Sequence, residues 1–233
     1  MLPPKSQYWI IRADPYNSLE DAVQFRLTYE GLLFASRTED KPARASHKQD
    51  IRRVFHRQLK ELWIQTPHLA AAPNPDTGFL PQLPDLHFGE VFPKGYSRAR
   101  DLADRFKCGA YNLVPLVTKD LSLICGLDIL LLRPGNPGET VKRGDVDNRV
   151  KTLVDALRIP GPDIKELGGQ SPQDGENPFY CLLEDDALIN HLAIETDRLL
   201  QPIEGIPHES SARAIITVRV RPAEVMLGNL NFA

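Results

Sequence analysis

Asp145 and Asp147 stand two residues apart, with Asn148 and Lys151 close behind them and a second acidic pair, Asp185-Asp186, further along the chain. Magnesium takes hard oxygen ligands, and carboxylates are the protein's best supply of them. In an extended segment residues i and i+2 point to one side, so Asp145 and Asp147 can face a single ion. Asp147 also falls where a helix N-cap is expected, which would let it accept backbone N–H groups. Over residues 147–157 the spacing predicts a helix, with Asp147, Lys151 and Asp155 along one edge beside the apolar stripe. A lysine one turn from an aspartate can meet a phosphate oxygen or position a water. Asp-x-Asp alone is more often a turn or cap than a metal site. Clustered like charges, however, need a cation or hydrogen bonds to offset their repulsion.

The elements that must position these groups can be read from periodicity. Residues 23–33 (VQFRLTYEGLL) alternate and predict a strand with Val23, Phe25, Leu27 and Tyr29 on one side. Over residues 47–63, Ile51, Val54, Phe55, Gln58, Leu59 and Leu62 follow helical spacing with one polar interruption, and Ser46 is the candidate cap. A short helix is expected over 97–106. Residues 112–119 and 121–132 read as a strand pair, the second aliphatic enough for a central strand. Val150, Leu153, Val154 and Leu157 stripe the helix that carries the acidic motif. Strands are expected at 179–183, 187–196 and 212–220. Asp185-Asp186 follows the first of these and can return to the same sheet end. Two Pro/Gly-rich insertions, 67–95 and 159–178, interrupt the pattern. The sum is an α/β (α+β) domain over residues 1–233: a mixed sheet packed against two or three helices.

Bulk properties narrow the function classes. A net charge of −3 argues against tight non-specific DNA binding, although an acidic whole can hide a basic face. Cys108, Cys125 and Cys181 have neither metal nor redox spacing and read as buried thiols in a reducing cytosol. The first residues lack the pattern of a signal peptide, and no apolar run reaches the roughly 20 residues of a membrane helix. A cytoplasmic protein is expected. The six histidines form no zinc pattern, and P-loop and nucleophile-elbow motifs are absent. Basic residues cluster around the first helix, among them Lys48, Arg52, Arg53 and Arg57. They read either as phosphate contacts or as a solvated helix face. A smaller group is Lys94, Arg98, Arg100, Arg105 and Lys107.

The run Gly144-Asp145-Val146-Asp147-Asn148-Arg149-Val150-Lys151-Thr152-Leu153-Val154-Asp155-Ala156-Leu157, followed by Glu184-Asp185-Asp186, resembles the RusA family of Holliday junction resolvases. That family's pattern reads D-x-D-N, then K, then D-A-L, then D-D. The resemblance runs over residues 122–220. The family's proline- and asparagine-containing segment after its first strand has no counterpart in Tyr29-Glu30-Gly31-Leu32-Leu33. The resemblance implies a homodimer that cuts four-way DNA junctions with Mg2+, or Mn2+ in its place. It implies that Asp145, Asp147 and Asp186 hold the metal and that Lys151 is catalytic. Asn148, Asp155 and Asp185 would support them, Asp155 by a contact such as a pair with Lys151. Two other readings remain open: a nucleic-acid-binding protein that does not cut, and a metal-dependent nuclease or phosphohydrolase with another substrate.

Overall fold

Alternating residues form the first strand. In the computed structural model, β1 spans Val23–Leu32, with Phe25, Leu27 and Tyr29 buried and the residues between them exposed. The structure describes residues 23–34, 41–66, 69, 97–135 and 145–232, apart from the side chains of residues 145, 209, 227, 230 and 231. Except for Leu69, the insertion expected at 67–95 lies outside the described residues.

β1 pairs antiparallel with β7 (Ser211–Pro222), and β7 pairs antiparallel with β4 (Leu123–Arg133). β6 (Ile189–Arg198) completes this sheet parallel to β4, giving the order β1-β7-β4-β6. β4 is therefore internal, as its aliphatic run predicts. Three further strands, β2 (Lys107–Cys108), β3 (Tyr111–Val117) and β5 (Phe179–Leu183), form a second sheet in the order β2-β3-β5. The α+β class stands, but the strands divide between two sheets.

β3 and β4 are not the pair that their proximity in sequence suggests. Leu123 N donates to the Thr118 carbonyl, and Ser122 takes a positive φ of 49° in the turn between them. The turn sends β4 into the other sheet. Burial supplies a reason, because β3 has an apolar neighbourhood on both faces. Val114 and Leu116 join the main core, while Tyr111 and Leu113 pack with Cys108, Leu167, Phe179 and Cys181 in a smaller one. All three cysteines are buried free thiols, as expected, and burial pushes Cys125 and Cys181 up to about 12.

Among the described residues, three α-helices cover the core. α1 spans Lys41–Gln65, longer than expected, so Ser46 lies inside it rather than at its cap. Ile51, Phe55, Leu59, Leu62 and Trp63 are its buried apolar stripe. Gln58, the polar break in that stripe, accepts from Thr28 N at 2.9 Å and donates to the Thr28 carbonyl at 2.7 Å. The side-chain amide thus satisfies backbone groups on the free edge of β1, an edge that would otherwise invite another strand. α2 spans Arg98–Arg105 and α3 spans Asp145–Leu157. Val146, Val150, Leu153, Ala156 and Leu157 of α3 are buried in the main core. No described helix is long and apolar enough to cross a membrane.

The segment 159–178 folds back onto α1. Arg158 bridges Leu183 in parallel, and Ile159 N donates to the Leu183 carbonyl at 2.8 Å. A 3-10 turn, Ile164–Leu167, follows and ends at Gly168 with φ +60°. A Cβ at Gly168 would strike the Ser46 backbone, so this contact demands glycine.

Candidate functional site

α3 starts at Asp145, two residues before the expected N-cap at Asp147. Asp147 therefore sits in the first turn, where the helix dipole favours a negative charge. Around a helix, residues 145 and 147 are about 200° apart, so the same-side argument for an extended segment does not apply to their backbone. The Asp145 side chain lies outside the described residues. Asp147 and Lys151 are exposed on α3, and the Asn148 carbonyl accepts from the Thr152 hydroxyl at 3.0 Å. Asp155 does not serve Lys151. It pairs with Lys48 of α1 at 3.3 Å and more loosely with Arg158 at 3.9 Å, so its role is to join α3 to α1.

The second acidic group follows β5. A Glu184 carboxylate oxygen accepts from Lys119 N at 2.8 Å. Asp185 caps the 3-10 turn Asp186–Leu188: one oxygen accepts from Ala187 N at 3.0 Å and the other from Lys119 Nζ at 2.7 Å. These bonds, that of Lys119 first, hold the Asp185 carboxyl down to about 2. Asp186 is exposed. Both aspartates line a cleft of about 430 Å³ whose walls include Arg105, Phe106, Lys107, Arg158 and Pro160.

The structure thus brings Asp185 and Asp186 together with three cations. Asp147 and Lys151 do not line this cleft. They lie toward the start of α3, whereas Arg158, which does line it, directly follows the helix end. From Asp147 to Arg158 is roughly 16 Å at helical rise. Among the described residues, no three Asp, Glu, His or Cys side chains gather where they could hold a metal ion. In donor type the acidic residues fit a hard divalent ion. In placement, the described ones fall into two groups.

The basic run of α1 is largely structural. Arg52 is 1% exposed and donates to the carbonyls of Asp155 at 3.0 Å and Glu166 at 3.2 Å and to Gln49 at 3.4 Å. Asp155 lies in the last turn of α3, so Arg52 satisfies one of the carbonyls left open at a helix end. Arg53 pairs with Glu176 at 2.8 Å, and it also donates to Gln170 and the Ser171 carbonyl. Lys60 donates to the Gly175 carbonyl at 2.9 Å. Of the four basic residues read either as phosphate contacts or as a solvated face, Lys48, Arg52 and Arg53 hold other segments in place, and Arg57 is exposed. Arg98 is likewise buried, bonded to the Leu116 carbonyl at 2.9 Å. Sequence reasoning missed Lys119 and Arg158 because each reaches its acidic partner or cleft through a turn with no periodic signal. No family model, no curated protein and no solved structure matches the chain.

Proposed function

We propose that the chain is a divalent-metal-dependent endonuclease that hydrolyses phosphodiesters in branched DNA as a homodimer, as its resemblance to the RusA family implies. The observation that carries this reading is the Asp185-Asp186 pair on a cleft that Arg105, Lys107 and Arg158 also line. Cations that attract a phosphate beside carboxylates of ligand type are what such a reaction needs. On the family's pattern Asp145, Asp147 and Asp186 would hold Mg2+ or Mn2+, which would supply Lewis acidity and a more acidic water; Asp186 lines the cleft and Asp147 does not. The chain's own groups do the rest. Lys107, exposed on the cleft, would draw the phosphate in, Lys119 holds the Asp185 carboxylate in place, and Lys151, exposed on α3 outside the cleft, takes its catalytic role from the family's pattern alone. A homodimer is supported by β6, whose Leu192 and Ile194 stay 45% and 40% exposed beside the core-facing Leu127 and Ile129.

A second reading, binding of branched DNA without cutting, is favoured by two ion pairs. Lys119 occupies an oxygen of Asp185 and Lys48 one of Asp155. Labelled four-way junctions, duplex and single strands, incubated with Mg2+ or EDTA, separate the two. Mg2+-dependent nicking that is lost in both Asp147→Asn and Asp186→Asn supports the endonuclease. Tight junction binding with no cleavage under Mg2+ or Mn2+ refutes it in favour of the second reading.

A further inference from the structure

We infer that the cleft beside Asp185-Asp186 receives one unpaired nucleotide of a nucleic-acid strand rather than paired DNA. This rests on the nucleic-acid reading above but not on cleavage. Size is the first argument. A sphere of the cleft's 430 Å³ would be about 9 Å across. A paired duplex is wider than its own major groove, which is roughly 12 Å across, so it cannot enter a cleft of that size. The volume falls within the roughly 300–1,000 Å³ of pockets that enclose a small ligand.

Lining chemistry is the second argument. Phe106 is half-buried, and together with Leu113, Ile159 and Pro160 it makes the apolar part of the wall. The Arg105 guanidinium lies 5.4 Å from the centre of the Phe106 ring. Asp120 at 2.7 Å and Asp101 at 3.5 Å hold that guanidinium in place. Aromatic rings and guanidinium planes are the platforms on which unpaired bases stack, whatever the sequence. Lys107 is exposed and has no ion-pair partner among the described residues, so its ammonium is available to a phosphate. Arg158 stands on the same cleft but already shares its charge with Glu166 at 3.5 Å. The acidic side repels phosphate in the absence of a cation. A nucleotide therefore enters with its base over the Phe106–Pro160 wall and its phosphate toward Lys107.

The test is direct binding in EDTA, measured by fluorescence anisotropy. The ligands are a fully paired four-way junction, the same junction with one unpaired thymidine at the crossover, and free dTMP as competitor. The unpaired thymidine should tighten binding by about 10-fold, the lower part of what one stacked base contributes. Lys107→Glu should abolish that preference with an unchanged melting temperature, whereas the surface control Arg198→Glu should keep it. With 5-iododeoxyuridine at the unpaired site, crosslinks should map to residues 105–107 or 158–162. This readout stands even if Lys107→Glu folds poorly. Equal affinity for paired and unpaired junctions overturns the proposal and leaves the endonuclease reading intact. Displacement of either junction by dTMP at equal concentration overturns it in favour of a free-nucleotide site. No binding to any junction removes the nucleic-acid reading as well.

Discussion

Replacing Arg52 with methionine separates a structural role from a DNA contact. The arginine is buried and bridges α1, the end of α3 and the 159–178 segment through two backbone carbonyls and Gln49. Hydrogen bonds from a charged donor contribute roughly 1.5–3 kcal/mol each, and removing one partner of a buried ion pair costs about 3–5 kcal/mol. The lower end applies here. Methionine refills much of the volume, and burial already lowers the arginine's pKa, a sign that its charge is poorly solvated. The acidic partner Glu166, 3.9 Å away, also keeps Gly161 N at 2.9 Å and Arg158. The expected loss is about 3 kcal/mol, or roughly 6–12 °C in melting temperature for a domain of this size. Thermal unfolding followed by circular dichroism checks the value, with Arg52→Lys expected between the two because one ammonium cannot reach both carbonyls. A methionine variant that melts within about 2 °C of the parent yet binds junctions more weakly would falsify the structural role.

Two further predictions concern pH. Asp185 is held down to about 2 against roughly 3.9 for a free aspartate, so its contribution is fully present above about pH 4 and is lost as pH falls toward 2. Lys119→Met should move the carboxyl titration of Asp185, read by NMR, up toward the free value with little change in stability, because the pair is solvent-screened; an unmoved titration contradicts the assignment. His56 is buried, stacks 4.3 Å from Phe179 and accepts from Tyr180 N at 2.8 Å, and burial lowers its pKa. The unfolded chain takes up that proton below about pH 6.5, so stability should fall as pH drops from there toward the lowered value. Urea midpoints at pH 7.5 and 5.5 should differ less in His56→Asn, which keeps an acceptor without the proton; equal slopes would exclude His56 as the source.

Periodicity made most of the elements legible. β1 and α3 each carry an apolar repeat: Phe25, Leu27 and Tyr29 are buried as the alternation selects, and Val150, Leu153 and Leu157 as the stripe selects, whereas Val154 is only half-buried and Val146 and Ala156 join the core instead. Gln58 shows where a pattern holds but its reason stays hidden: the polar break answers the edge of a strand thirty residues away. The division into two sheets was not legible, because it depends on the 118–122 turn and on the second apolar face of β3, which the 159–178 segment covers. For the site, the residue types were plain and their company was not. Asp155 and Lys151 share a helical edge in sequence, yet the aspartate's partner comes from α1. The basic run around Arg52 read as surface because nothing local announces that a later segment will fold over it. Lys119 and Arg158 act across turns, where no spacing rule connects them to Asp185 or to the cleft.

The same late segment bears on how the chain can be shortened. Arg158 lies beside the end of β5, and Phe179 starts that strand about 13 Å back. Some five residues could cover the distance, and the chain spends all of 159–178. Yet the longer route is no ornament that can be trimmed. Excising it would take the Glu166 carbonyl from Arg52, take Glu176, Gln170 and the Ser171 carbonyl from Arg53, and strip the cover from Tyr111 and Phe179. A minimal version of the domain would have to be redesigned along α1 first, with apolar residues at positions 52 and 53. In engineering terms, the insertion and the helix beneath it form one exchangeable part.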